Sequence, residues 1–395
     1  MPDHSLGPPS IAVTPRVSIQ RLATYQPAAV ERAVRALLEP LGGMAAFVTP
    51  GARVVLKPNL LLPSAPERAV CTHPEILRAV ARLAREAGAA AVEATDSPGV
   101  GSARRCARHL GLGDDEPFIV HDADEGADVA PVGTGFHRLR LIRRLRDADL
   151  VINLPKAKTH GQMVMTAAVK NSFGAVVGME KAQWHFRAGK SPADFARLLL
   201  HVHALIAPRL SILDAVVGME GNGPSAGDPR PLGLLMASAD AHALDVVLAR
   251  IWGLDPHQVF TLAVARGLHL LPSFGRIEIV GPAPDDLRPR PTWRLARPAP
   301  LRGFGGPVWL SAFLERLMTV RPEIDRGACV ACGECARVCA AHAIALNSDG
   351  APSVPPVMID RDQCIACFCC QEMCPEGAIR VSAGLAARLF GWGTR

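Results

Sequence analysis

Apolar positions in the first 280 residues switch repeatedly between a spacing of two and a spacing of three to four. A spacing of two marks strands and the longer one marks helices. Residues 17–22 predict a strand, and 27–41 predict a helix closed by Gly42 and Gly43. Residues 53–56 predict a strand running into Lys57, Pro58 and Asn59, and 74–87 a helix with proline in its first turn and Gly88 after its last. Residues 90–94 predict a strand ending at Asp96, Ser97, Pro98 and Gly99, and 102–110 a helix. The apolar run 149–154 predicts a buried strand followed by Pro155, Lys156, Ala157, Lys158, Thr159 and His160. Residues 163–173 have helical spacing and carry Thr166, Lys170 and Asn171. Strands at 210–215, 232–237 and 277–280, a glycine-rich loop at 218–231 and a helix at 241–252 complete the series.

Strand–helix alternation of this kind predicts an α/β fold, a mostly parallel sheet with helices on both faces. Ligands of such sheets bind beyond the carboxyl ends of the strands. Three strands would then deliver Lys57 and Asn59, Asp96, and the 155–160 segment to one edge. Taken singly, each of these side chains is read as a solvated loop group; taken together they make a candidate site. The hexamer AVVGME occurs at 175–180 and again at 215–220, either as two similar strand-end loops or by coincidence.

The pattern changes after residue 280. Six prolines between 281 and 303 mark a linker, and 304–317 predict an amphipathic docking helix with Trp309, Leu310, Phe313 and Leu317 on one face. Nine cysteines follow between 329 and 374, and eight of them make two copies of one spacing. Cys329, Cys332, Cys335 and Cys339 form the first; Cys364, Cys367, Cys370 and Cys374, followed by Pro375, form the second. This is the run of ferredoxins that hold two 4Fe-4S clusters, in which the fourth thiolate of each run ligates the other cluster. One cluster would thus take Cys329, Cys332, Cys335 and Cys374, and the other Cys364, Cys367, Cys370 and Cys339. Zinc favours pairs of cysteines separated by a longer gap. Ala340 stands where a proline would follow the fourth cysteine, which touches the turn and not the ligands. Cys369 falls outside the ligand spacing and is read as a spare thiol, and Cys71 and Cys106 as small buried residues. The small α+β ferredoxin-like module is placed at 323–382, after a disordered leader (1–16), the main domain (17–282) and the linker with its helix (283–322), and before a tail (383–395).

Composition adds two constraints. The net charge of +6 divides unevenly, since 323–380 holds eight acidic and four basic residues. An acidic module beside a basic main domain gives the two an attraction within one chain. Nucleic acid is a poor partner for this chain, with its scattered arginines, a single tyrosine and 5% aromatic residues. No run is long and apolar enough to span a bilayer, and no secretory h-region is readable at the start, so a reducing cytoplasm is expected. Second, only six lysines stand against thirty-seven arginines, and five of the six lie between 156 and 190. Arginine cannot replace lysine where a point charge or a neutral amine is needed. Lys57, Lys156, Lys158 and Lys170 are therefore candidates to neutralise a small anion, with Asn59, Thr166 and Asn171 as hydrogen-bond donors. Lys158 is also a catalytic candidate. His160 is the candidate for proton transfer, with a structural role as its alternative; Asp96 is a candidate base, metal ligand or helix cap.

The segments VVLKPNLL (54–61), THPE (72–75), TDSPG (95–99), NLPKAKTH (153–160), AAVKNSFG (167–174) and GMEGNGP (218–224) resemble the prokaryotic family called domain of unknown function 362. Many members carry a two-cluster ferredoxin module after the main domain. The resemblance implies an iron-sulfur oxidoreductase served by a redox partner protein, and it supplies neither a substrate nor a catalytic residue. The alternative is an electron carrier or maturation protein whose α/β domain docks a partner. A nucleotide-driven reductase would need a phosphate-binding loop, and the sequence contains no such pattern. A concave, lysine-lined pocket facing the module would favour the enzyme; a flat apolar patch there would favour the carrier.

Overall fold

In a computed structural model of the protein, residues 14–123, 125–129, 139–178, 181, 183–184, 188, 191–296, 321–347, 356–365 and 367–382 are described. The strands in chain order are β1 (Arg16–Arg21), β2 (Arg53–Pro58), β3 (Ala91–Thr95), β4 (Ile119–His121), β5 (Gly126–Val129), β6 (Leu139–Ile142), β7 (Leu150–Leu154), β8 (Lys156–His160), β9 (Val164–Thr166), β10 (Leu210–Glu220), β11 (Asp228–Ser238) and β12 (Glu278–Val280). Ten of them form one sheet in the order β12-β1-β11-β10-β7-β2-β3-β4, with β8 joined to β10 and β9 to β8, while β5 and β6 make a separate ribbon. From β10 through β7, β2 and β3 to β4 the pairing is parallel. β11 turns back on β10, and β1 runs antiparallel to β11. The fold is α/β, with a mostly parallel sheet.

Period-two burial puts a layer on each face. Val54 and Leu56 of β2 pack with α1 (Pro27–Leu38), α2 (Pro74–Glu86) and α3 (Ala103–His109), whereas Val55 joins Val151 and α4 (Pro192–Ile206) on the opposite side. β10 alternates likewise, with Ile212 on the first side and Leu213 against α5 (Ala241–Ile251). Each fully buried valine or leucine of this kind contributes about 1.5–3 kcal/mol. The helices begin where side chains satisfy their free amides: Ser102 accepts from Arg105 N, and Asp240 accepts from His242 N and Ala243 N.

Two expectations are corrected, and of two alternatives left open one is favoured. The 163–173 stretch is not one helix: Val164–Thr166 is a strand paired with β8, and only Ala168–Asn171 is α-helical before a 3-10 turn. The glycine-rich loop shrinks to residues 221–227, because β10 and β11 extend through the other half of it. The two AVVGME copies differ in structure, since 215–220 lie inside β10 whereas Ala175 closes a 3-10 turn and Val176 bridges to Leu141. Coincidence accounts for the repeat. The predicted docking helix at 304–317, most of the leader and the tail lie outside the described residues.

The cysteine-rich module is a near-duplicate of one unit. β13 (Arg321–Ile324) pairs with β16 (Ile379–Ser382), and β14 (Ile344–Leu346) with β15 (Val357–Ile359), both antiparallel. One helical turn carries the third cysteine of each triplet, α6 (Glu334–Arg337) with Cys335 and α7 (Cys369–Glu372) with Cys370.

Candidate active site at the strand ends

Because β2, β3 and β7 are parallel neighbours, their carboxyl ends meet at one edge. Lys57, at the end of β2 and fully buried, sits 2.9 Å from Asp96, which follows β3. Both oxygens of Asp96 are engaged: Oδ1 also accepts from Ser97 N at 2.8 Å, and Oδ2 accepts from Leu60 N at 2.7 Å. Asp96 thus ties two strand ends together, and its candidacy as a base or metal ligand is corrected to this structural role. Gly174 lies against the pair, where any Cβ would collide with the Asp96 carboxylate and the Lys57 ammonium.

β8 brings two more buried lysines. Lys156 donates to Asp214 at 2.8 Å and to Tyr25 Oη at 2.9 Å. Lys158 has no acidic partner within ion-pair distance among the described residues; it donates to Asn59 Oδ1 at 2.8 Å and to Val70 O at 2.7 Å. Asn59 in turn donates to Asn171, and Asn171 to Asn153 and to Lys57 O. This amide chain orients the Asn59 oxygen toward Lys158.

A cleft with about 80 Å³ of water-accessible interior opens on this edge. Asn59, Lys158, Thr166, Lys170, Asn171 and Lys181 supply its polar lining, together with the edge of Asp96. Leu60, Leu61, Phe173 and Pro224 are apolar neighbours, and the remaining wall comes from the cysteine module: Val338, Cys369, Glu372 and Met373. The module is held there by the 221–227 loop. Gln371 donates to Asn222 Oδ1 at 2.5 Å, and Ser225 Oγ donates to Gln371 O at 3.4 Å. Gly99 allows the contact on the far side, since a Cβ there would overlap the Met373 side chain.

Lys57, Lys156 and His160 do not line the cleft. The two lysines are each committed to a buried carboxylate, which corrects their assignment to an anion. His160 accepts at Nδ1 from Gln162 N and Met163 N, both at 3.1 Å, so its proton is on Nε2, 2.8 Å from Glu372 Oε1. Burial lowers its pKa and keeps the ring neutral. His160 therefore fixes Glu372, and Glu372 is the carboxylate that faces the cleft. Local sequence gave no sign of Glu372 or Met373, because both arrive from the other module; Lys181 was visible in the lysine cluster and not singled out.

Burial pushes Lys158 and Lys181 down to about 7, helped in both cases by the Lys170 charge and respectively by Lys156 and Lys57. Cys71 and Glu372 oppose the shift at Lys158, as do Asp96 and Cys106 at Lys181. Lys170 is also lowered by burial, with Glu372 opposing. An unfolded lysine holds its proton to about pH 10.4. Between those limits the unfolded chain binds more protons than the folded one, so stability with an empty cleft rises with pH. Anaerobic calorimetry of ligand-free protein should show Tm increasing from about pH 7 to about pH 9; a Tm that falls steadily over this range contradicts the lowered lysines.

The cysteines line two further cavities. Cys329, Cys332, Cys335 and Cys374 surround one, and Cys339, Cys364, Cys367 and Cys370 the other. Each fourth cysteine thus sits with the opposite run, and each accepts a matching amide, Ala343 N on Cys339 Sγ at 3.3 Å and Ala378 N on Cys374 Sγ at 3.2 Å. Among the described residues no three His, Cys, Asp or Glu side chains converge tightly enough for a single metal ion. Four thiols spread around a cavity suit the corners of a cubane cluster. Cys369 falls outside the ligand spacing but borders the second cavity, hydrogen-bonded with Cys367, and also lines the cleft wall. Cys369→Ser is expected to leave iron content unchanged; loss of iron on anaerobic analysis would make it a ligand.

An α/β domain with a cysteine-rich module seated on its strand ends defines an iron-sulfur protein of the electron-transfer class. A 4Fe-4S dicluster domain matches residues 328–378. The chain belongs to the family described as Domain of unknown function (DUF362), whose profile matches residues 54–250. It is 46% identical over 262 residues to the thylakoid-associated protein sll1697 of Synechocystis, an alignment covering 65% of this chain and 80% of that protein. Among solved structures, it is similar to a Thermotoga maritima structural-genomics target, with TM-score 0.38 and 13% identity over 64% of this chain and 61% of that one. It is also similar to the lactate racemase apoprotein of Thermoanaerobacterium thermosaccharolyticum, with TM-score 0.37 and 13% identity over 62% of this chain and 57% of that one. The chain thus spans less than two thirds of either solved protein. No helix among the described residues is long and apolar enough to cross a membrane.

Proposed function

We propose that the protein is an oxidoreductase in which electrons from two 4Fe-4S clusters pass to a small anionic substrate in the strand-end cleft. The observation that carries this reading is the composition of the cleft wall, which joins Lys158 and Lys170 of the main domain to Cys369 and Glu372 of the cysteine module in one concavity. A carrier that only docks a partner has no need of an enclosed, lysine-lined cleft facing its own cluster module. When bound, the clusters supply single electrons at low potential. Cys339, Cys364, Cys367 and Cys370 would hold the cluster nearer the cleft, since Cys369 lies between two of these ligands and lines it. Cys329, Cys332, Cys335 and Cys374 would hold the outer one, where Cys332 is exposed to a redox partner protein. Lys158 and Lys170 neutralise the substrate anion, Asn59 and Asn171 orient it through the amide chain, and the module excludes water from one side. Proton supply falls to Lys158, Lys181 or Glu372 and not directly to His160, whose two ring nitrogens are occupied.

The test mixes anaerobically reduced protein with the low-molecular-mass fraction of a cell extract. Recovery of cluster absorbance, with conversion of one anion in the mass spectrum, is the expected result. Recovery at the same rate in a Lys158→Met variant would overturn the reading.

A further inference from the structure

The charges around the cleft do not balance, and the imbalance specifies the ligand. Lys158, Lys170 and Lys181 all line it, and none makes an ion pair within 4 Å among the described residues. Two carboxylates share the lining. Asp96 is already paired with Lys57 at 2.9 Å, so that pair adds no net charge to the count. Glu372 is the other, 2.8 Å from His160 Nε2. Among the described residues, three lysines against two carboxylates, one of them already paired with Lys57, leave more cationic than anionic groups in a site walled on one side by Leu60, Leu61, Phe173 and Met373. Uncompensated charge is costly to hold in such a setting, and a ligand of opposite charge relieves it.

A second observation points into the same space. Thr166 is 4% exposed and lines the cleft, and its Oγ1 has no hydrogen-bond partner among the described residues. A buried hydroxyl without a partner is unfavourable, and an acidic oxygen of a ligand would accept its hydrogen bond. The apolar neighbours set the other half of the recognition: a ligand that is all charge would leave Leu61, Phe173 and Met373 against water.

We propose that the cleft takes a small organic dianion, a dicarboxylate or a phosphate monoester, whose acidic groups are held by Lys158, Lys170, Lys181 and Thr166 and whose apolar body lies against Leu61, Phe173 and Met373. This rests on the reading of the cleft as a substrate site and adds the charge and shape of what enters it. The acidic groups face the main domain, so the apolar body, lying against Met373, is the part brought beside the cysteine module.

The test is anaerobic calorimetric titration of the cluster-loaded protein with phenyl phosphate, phenylsuccinate and the monoanion phenylacetate. Either or both dianions should bind about tenfold to a hundredfold more tightly than phenylacetate, and their ratio separates phosphate from dicarboxylate. Lys181→Met and Lys170→Met, at positions only partly buried and so tolerant of replacement, should each remove most of that preference while leaving iron content intact. Equal binding of dianion and monoanion would overturn the inference, as would a preference that survives both substitutions. If that happens while the reduced protein still reoxidises with the metabolite fraction, electron transfer into the cleft stands and only the dianion falls. Absence of both binding and reoxidation removes both.

Discussion

Replacing Lys158 with methionine is expected to abolish electron transfer to the cleft ligand while leaving the iron content unchanged. Lys158 is fully buried, lines the cleft and donates to Asn59 Oδ1 and Val70 O, so its ammonium is aimed by two fixed acceptors. Removing it strands those acceptors at a cost of about 1–3 kcal/mol each, partly offset because a desolvated charge disappears with it. A domain of this size tolerates a loss of that order. None of its hydrogen bonds reaches the cysteine module, which is why the clusters should survive. A lost charge-assisted contact weakens anion binding by about tenfold to a hundredfold, and misplacement of the ligand lowers the rate further. Iron and sulfide analysis beside the reoxidation rate checks both halves. Loss of iron in the variant would mean that Lys158 supports the module and not the ligand.

The second large effect separates the two cysteine sets. Cys339→Ser and Cys374→Ser should each reduce iron from about eight to about four per chain, but with opposite consequences for the cleft. Cys339 shares its cavity with Cys364, Cys367 and Cys370, next to the cleft wall, so its loss should stop reoxidation by the cleft ligand even with a strong reductant. Cys374 shares the outer cavity with Cys329, Cys332 and Cys335. Its loss should block delivery from a protein donor yet leave the inner cluster reducible by dithionite. EPR of the two reduced variants should lose the spin–spin coupling between clusters and keep one signal each. If Cys339→Ser keeps full reoxidation, the order of the two clusters is the reverse of the one proposed.

The sequence made some of this legible because the relevant signals were local. Lys57, Asn59 and Asp96 could be placed at strand ends from period-two runs a few residues long, and parallel pairing then brought them to one edge. The cysteine spacing specified a crossed ligand set, and the two cavities gather those same eight cysteines, with Cys369 beside them in the second. Partners distant in sequence were not legible. Lys57 and Lys156 looked as available as Lys158, and only the fold reveals that Asp96 and Asp214 already neutralise them. The helix expected over 163–173 failed because a short apolar run fits either period; Val164 adopts a positive φ of 68° and the segment pairs with β8 instead. Seating of the module on the cleft depends on single contacts such as Asn222 with Gln371, which leave no periodic trace.

The most direct measurement is anaerobic purification of the wild-type protein and the Lys158→Met variant, with iron and sulfide analysis, low-temperature EPR, and mass spectrometry of small molecules released on denaturation. The account predicts about eight irons in both proteins, and an organic anion released from the wild type that is missing from the variant. An anion retained equally by the variant, or wild-type protein with full iron, nothing in the cleft and electrons passing only to another protein, would contradict it.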